Sequence, residues 1–392
     1  MDAIGFVNSR KYTVRWWPEV NDHIQSISSI WNTAKIFGTH TLPFNSPTDK
    51  PTNRELILAS ALTVLRIYMI YVIFTTDSWN LLFTSSSQYV ENGLDILLKI
   101  PIAMVVCIPW IMLVRKPQIA RLSHDFIIFD KLMTKFKYQN NYQFFHIIAT
   151  IFAVIDILIP LAILAAIRGF NFWFVHFLVL GFVGFSWSGG LLFNTTFNIL
   201  LFHILYRMEV VNDLLRDILH SDRSQSSKEA TLEQIKTIMR MHDKLGDIAN
   251  NCSRCFAISI VLTMLHVLVS QLFTVFAFVR VLFYHYDANE LKDCIFYIIG
   301  TTSYCMMPIS TIWMAGDIKK RTVVTWKLIH RIINTTEAME VEDLLQQFSE
   351  QMNHRSPSID FRLFDVDWPL LVQACSEAAT YLIIMIQFGT KQ

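Results

Sequence analysis

Charged residues are few in this sequence. Asp, Glu, Lys and Arg make up 17% of its 392 residues, whereas hydrophobic residues make up 53%. Soluble domains have about a quarter of their residues charged. The apolar excess therefore predicts a protein that lies in a membrane among lipids. The formal net charge of +1 gives no reason to expect nucleic acid or a strongly acidic partner.

The features that catalysis or metal binding would require are also missing from the sequence. There is no Gly-rich phosphate loop, no metal-spaced cluster of His and Cys, and no Ser, His and Asp set with a recognisable turn. Among the six Cys, Cys252 and Cys255 form a CxxC pair, but no second ligand pair or thioredoxin-like context accompanies it. We therefore expect no enzyme, no catalytic residue, no metal ion and no cofactor.

Long apolar runs are present instead. A helix needs about 20 mostly apolar residues to cross the hydrocarbon of a bilayer. Seven runs satisfy this requirement, so the sequence predicts an all-α membrane protein with seven transmembrane helices. The predicted spans are 57–75, 93–114, 145–166, 172–206, 256–284, 293–315 and 367–388. The fourth and fifth runs are too long for simple spans, and we expect these helices to project beyond the membrane.

Lys and Arg residues are distributed unevenly between the segments outside these spans. The N-terminal segment and every second loop contain 27 of them, whereas the remaining loops and the C-terminal tail contain 3. Lys and Arg concentrate on the cytoplasmic side of membrane proteins. The pattern predicts a cytoplasmic N-terminus and an extracellular C-terminus, which is the reverse of a seven-helix G-protein-coupled receptor.

The last predicted span has polar residues at helical spacing. Gln373, Glu377, Thr380, Ile384 and Gln387 follow one another at intervals of 4, 3, 4 and 3 residues. They therefore share a stripe about 80° wide on one face of the helix. Polar groups in a bilayer usually face protein or a water-filled path. The stripe is consistent with a pore wall built from several copies, and equally with hydrogen bonds to the chain's other helices.

Other intramembrane charges and one cytoplasmic segment have structural interpretations. Arg66 and Asp156 lie at mid-span on different helices and are expected to form an ion pair, while Asp95 and Lys99 can pair along one helix. The segment 231–250 has apolar residues at helical intervals. It is interpreted as a continuation of a transmembrane helix, with calmodulin or membrane binding as the alternatives.

The end of the chain resembles the signature of the insect gustatory receptors, which is Thr-Tyr, five apolar residues and Gln-Phe. The matching residues are Thr380, Tyr381, the apolar run 382–386, Gln387 and Phe388. The preceding FDVDWPLL, at 364–371, resembles the family's usual lead into its last helix. The early AKIFGTHTLPF, at 34–44, resembles the family's short segment before the first span.

The resemblance implies a ligand-gated, non-selective cation channel in the plasma membrane of sensory neurons. It would be a homotetramer, or a heteromer with related subunits, in which the last helix of each subunit lines a shared pore. Gln387 and Phe388 would form the gate, Ile384 a second constriction, Thr380 part of the wall, and Glu377 a site favouring cations. The implied regions are a cytoplasmic segment 1–56, a six-helix ligand-binding domain 57–315, a cytoplasmic anchor 316–366 with a short helix near 337–354, and the pore helix with its tail, 367–392.

The expected ligand is a bitter compound or another small organic tastant, because Leu382 stands where sugar-sensing members typically have an acidic residue. Fructose-like or internal nutrient sensing is an alternative, and a metabotropic seven-helix receptor is a further one. Ligand-binding candidates are polar and aromatic residues in the outer halves of the spans. They are Trp173, His176, Trp187, Gln271, Tyr297 and Thr301. The same residue types also serve as interfacial anchors and helix partners.

Overall fold

The regular structure is helical. The computed structural model describes residues 16–44, 50–75, 102–138, 140–168, 174–220, 228–283, 288–361 and 365–389. Within these ranges the helices are α1 His23–Ile36, α2 Asn53–Thr75, α3 Ile102–Val114, α4 Lys116–Thr134, α5 Tyr142–Arg168, α6 Phe174–His220, α7 Lys228–Phe283, α8 Ala288–Thr335, α9 Met339–His354 and α10 Trp368–Gly389. The β-type pairing of the described residues is limited to an isolated bridge between Asp360 and Asp365. The predicted all-α class is confirmed.

Several of these helices have the length and composition of membrane spans. Among the described residues, α2, α5, α6, α7 and α10 each qualify. The pair α3 and α4 would add a sixth, although the two helices are bent by 67° where Pro117 opens α4. Proline lacks an amide hydrogen, so it suits the first turn of a new helix better than the interior of a continuous one. The predicted span 293–315 lies within α8, which is not among the five.

The long helices extend well beyond a bilayer. Helices α6, α7 and α8 have 47, 56 and 48 residues. At 1.5 Å per residue they measure roughly 70 to 85 Å, against about 30 Å of hydrocarbon. The predicted projection of the fourth and fifth transmembrane helices is therefore confirmed. Their extensions pack with α1, α4 and α9 around one hydrophobic core.

The amphipathic segment 231–250 belongs to α7. Ile235, Ile238, Met241 and Leu245 are completely buried in the core. The interpretation of this segment as a continued helix is therefore confirmed, because the apolar face that calmodulin or a membrane would bind is already covered.

The predicted short helix near 337–354 is α9. Its apolar residues Val341, Leu345, Phe348 and Met352 recur at intervals of 4, 3 and 4, and all four are buried against the long helices. Phe348 meets the ring of His242 on α7 edge-on at 5.5 Å between centroids. The amphipathic pattern thus explains why this helix packs on the N-terminal part of α7 and the C-terminal part of α8.

The predicted ion pair between Arg66 and Asp156 is wrong. The buried Arg66 guanidinium donates to the carbonyl of Phe37 at 2.9 Å and to the carbonyl of Val105. Gly38, with φ of 66°, turns the backbone after α1, and a Cβ there would lie 2.7 Å from Arg66 Nη2. Glycine adopts this left-handed conformation without strain, and its lack of a side chain leaves room for the Arg66 guanidinium. Asp95 and Lys99 lie outside the described residues.

Two asparagine contacts fix α6 against α8. Asn198 accepts a hydrogen bond from Thr311 at 2.6 Å, and Asn212 accepts one from Thr325, also at 2.6 Å. From the first contact to the second, α6 and α8 both advance by two heptads, so the two helices run parallel in a constant register. Buried asparagines specify register in coiled coils in the same way, because a shift along the helix would leave their amides unpaired.

Candidate pore helix and ligand region

Helix α10 begins where the sequence supplies a start signal. The carboxylate of Asp367 accepts a hydrogen bond from the backbone amide of Leu370 at 3.4 Å. Pro369 lies in the first turn, where its missing amide hydrogen costs nothing. A carboxylate also favours the positive end of the helix dipole. The segment preceding the last predicted span therefore ends in a defined N-terminus for α10.

One face of α10 packs against the chain's own helices. Leu382, Met385 and Ile386 contact a cluster formed by α7 and α8, whose buried members are Phe276, Ala277, Val281 and Cys294. At 100° per residue these three positions lie opposite the polar stripe. The C-terminal part of α10 is thus attached through apolar contacts on the side away from the stripe.

The stripe itself is exposed in the single chain. Gln373, Glu377, Thr380, Ile384 and Gln387 are all exposed, and the side chain of Ile384 keeps 41% of its accessible surface. The Thr380 hydroxyl donates to the carbonyl of Ser376 on its own helix at 3.1 Å. The face therefore does not pack into the chain's own core, and its role as a pore wall stays a prediction. The Phe388 side chain lies outside the described part.

The ligand candidates that the structure describes lie on three helices. Trp187 of α6 stacks on Tyr304 of α8, with ring centroids 5.7 Å apart, and the Tyr304 hydroxyl donates to the Trp187 carbonyl at 2.8 Å. Thr301 is buried one turn away on α8. A Cβ at Gly300 would lie 2.6 Å from the indole of Trp187, so glycine is what admits this ring.

The third described candidate, Gln271, is half-buried on α7. Cys305 of α8 packs with Trp187 against a small cluster that includes Tyr304. Trp173 lies outside the described residues, as do the side chains of His176 and Tyr297.

Two residues of this region were missed in the sequence. Tyr304 is buried, and the ring of His266 on α7 meets it edge-on at 5.6 Å. The helical spacing of Tyr297, Thr301 and Tyr304 could have identified the tyrosine, since all three share one face. Nothing in the local pattern distinguishes His266 from an ordinary helix partner.

Several buried polar atoms of the same region have no hydrogen-bond partner within the described structure. They include the indole nitrogen of Trp187 and the hydroxyls of Ser186 and Ser188. Buried polar groups are normally satisfied by protein, water or a ligand. An aromatic surface with spare donors and acceptors is the composition of a small-molecule site.

The comparisons with known proteins agree with this architecture. A family model described as 7tm Chemosensory receptor matches residues 27–392. The chain therefore belongs to the seven-transmembrane chemosensory receptor family, which consists of receptors rather than enzymes. It is a membrane protein with the seven-helix fold predicted from its sequence.

Two individual relatives refine this assignment. The chain is 34% identical over 88 residues to the putative gustatory receptor 28b of Drosophila melanogaster, a match that covers 22% of this chain and 18% of the relative. Its fold is similar to that of the insect olfactory receptor OR5 from Machilis hrabei, solved in complex with eugenol. That likeness has a TM-score of 0.59 at 12% identity and covers 92% of this chain and 97% of the other.

Proposed function

We propose that this protein is a gustatory receptor acting as a ligand-gated, non-selective cation channel. The observation that carries the proposal is the division of α10 into two faces. Leu382, Met385 and Ile386 hold it to α7 and α8, while the opposite face, which bears the polar stripe, is exposed. The amide of Gln373 and the carboxyl of Glu377 are costly to leave in lipid, so we expect further copies of the helix to face them.

The pore requires a ring of subunits, and we assign a homotetramer or a heteromer with related receptors. The cytoplasmic ends of the long helices offer surface for this assembly. On α8, Val323 and Trp326 are neighbours on one face and keep 48% and 42% of their accessible surface, and Met339 of α9 keeps 76%. Exposed apolar residues grouped in this way are typical of subunit contacts. This end of the molecule lies in the cytoplasm, and α10 ends outside the cell.

The ligand is a bitter compound or another small organic molecule, bound around Trp187, Tyr304 and Thr301. Stacked aromatic rings with unpaired hydrogen-bonding groups support this chemistry. The structurally similar olfactory receptor was solved in complex with eugenol, which is also a small organic molecule. Fructose-like or internal nutrient sensing is the second candidate, because hydroxyl-rich ligands would also satisfy the free serine and indole groups.

Whole-cell current from cells expressing this chain, with G-protein signalling blocked, tests the proposal. Bitter compounds and sugars would be applied in turn, and an agonist-evoked cation current is expected. Replacing Gln387 or Phe388 with alanine should change ion selectivity or open probability. A current that disappears when G-protein signalling is blocked would instead establish a metabotropic receptor.

The plasma-membrane location and the orientation are tested with a tag at each terminus of the chain expressed in sensory neurons. Antibodies applied to intact cells should detect the C-terminal tag only. Detection of the N-terminal tag would contradict the distribution of Lys and Arg as an indicator of topology.

A further inference from the structure

Helix α8 contains a break in its hydrogen bonding next to the ligand region. Pro308 lies inside the helix, and proline has no amide hydrogen to donate to the carbonyl four residues earlier. That residue is Tyr304, which stacks on Trp187 and donates to its carbonyl. The turn that holds Tyr304 is therefore less firmly tied to the rest of α8 than an ordinary helical turn.

A single side chain of α6 holds both sides of this break. Asn198 accepts a hydrogen bond from Thr311 at 2.6 Å and donates to the Ser310 hydroxyl at 2.7 Å, and its amide nitrogen also approaches the carbonyl of Met307 at 3.5 Å. Met307 precedes the proline, whereas the other two partners follow it. Asn198 is buried, with 8% of its surface exposed, so water competes little for these groups.

The second asparagine contact provides a built-in comparison. Asn212 accepts from Thr325 at 2.6 Å and donates to the carbonyl of Arg321 at 3.3 Å, two heptads below. The same residue types therefore make similar contacts between the same two helices. The difference is that α8 has no proline at this level, so Asn212 contacts an uninterrupted helix.

We propose that Asn198 is a positioning residue for gating: it fixes the Pro308 break of α8 onto α6 and passes movement of the Tyr304 turn to the cytoplasmic helices. This role rests on the proposed function, because it assumes that a ligand acts near Tyr304. When Asn198 is replaced by an apolar residue, the turn above the break moves without carrying the lower helix with it. Agonist sensitivity then falls while the fold, which Asn212 still holds in register, persists.

The first test is amide hydrogen exchange on the purified receptor, which requires no channel activity. Asn198→Leu should speed exchange in the α8 segment 309–313, and Asn212→Leu should leave that segment unchanged. Because local opening is governed by local hydrogen bonding, the effect should be confined to the break. Unchanged exchange in Asn198→Leu overturns the inference whether or not the receptor conducts ions, and so separates its failure from failure of the proposed function.

The second test is agonist potency at matched surface expression. Asn198→Leu should raise the half-maximal agonist concentration about tenfold, a typical size for coupling between sites, whereas Asn212→Leu should change it less than about twofold. Restoring the helix with Pro308→Ala should reduce the effect of Asn198→Leu to less than about threefold. Equal shifts in the two asparagine variants, or a full shift that persists in Pro308→Ala, would refute a role specific to the break.

Discussion

The turn that joins α1 to the first membrane helix depends on Gly38, and replacing this glycine with alanine should destabilise the protein strongly. Its φ of 66° costs a residue with a Cβ about 1–2 kcal/mol. The new Cβ would lie 2.7 Å from Arg66 Nη2 and 3.0 Å from a Leu62 methyl group. Moving Arg66 breaks its 2.9 Å bond to Phe37, and an unpaired buried donor costs about 1–3 kcal/mol. The total is about 2–5 kcal/mol.

Thermal unfolding of the purified protein in detergent would measure this change. With an unfolding entropy of roughly 2 cal/mol/K per residue, a chain of this size loses about 1 °C of Tm for each 0.8 kcal/mol. Gly38→Ala should therefore lower Tm by about 3–6 °C. The matched control is Gly181→Ala in α6, where nothing lies within 4 Å of the added Cβ. There alanine should raise Tm slightly, because it favours the helix.

The same assay distinguishes the observed Arg66 contacts from the ion pair that the sequence indicates. If carbonyl contacts hold Arg66, Asp156→Asn should cost much less than Arg66→Met, which removes the bonds to Phe37 and Val105. Equal losses in these two variants would restore the ion pair and refute the account of the turn. A Gly38→Ala protein as stable as the original would also refute the account of the turn.

Three further predictions concern the buried charges, the pH dependence and the pore. Arg207 is buried and pairs with Asp130 at 2.8 Å. Asp130→Asn should lower the free energy of unfolding by about 3–5 kcal/mol, because it leaves the charge of the buried guanidinium uncompensated. Denaturant unfolding measures this loss. Burial, and then the charges around it, lower the pKa of His23 well below its ordinary 6.5, so the folded state favours the neutral ring. Stability should therefore fall as the pH drops below about 6.5, and Tm should fall less steeply between about pH 7 and pH 5 in a His23→Leu variant. In single-channel recordings, Ile384→Ala should alter conductance whereas Ile383→Ala, its exposed neighbour on another face, should not; equal effects would contradict the pore assignment.

Helical periodicity in the sequence was sufficient to predict several elements of this fold. The spacing within 231–250 and within α9 predicts buried faces, because each depends only on residues three or four apart. The two-sided character of α10 follows in the same way. These features are local, and a regular helix converts sequence spacing directly into direction.

The features that the sequence could not predict depend on register between distant segments. Asn198 and Thr311 are 113 residues apart in the chain, and so are Asn212 and Thr325. Nothing in either helix alone indicates which polar residue of the other it will meet. Arg66 illustrates the same limit, because its partners are backbone carbonyls, which every residue possesses. Sequence spacing therefore identifies a buried polar residue more readily than it identifies that residue's hydrogen-bond partner.

The contacts along α10 indicate which end of this helix moves more easily. At its lower end Leu371 packs against the main hydrophobic core, and Trp368 lies close to Gly316 of α8. At its outer end, Leu382, Met385 and Ile386 touch a small separate cluster in which the described buried residues number four. Moving the C-terminal end of α10 would disturb only this small cluster, whereas moving its N-terminal end would disturb the main core. We therefore expect displacement of α10 to begin beside Gln387, one of the two residues proposed for the gate, while Leu371 stays packed against the main core.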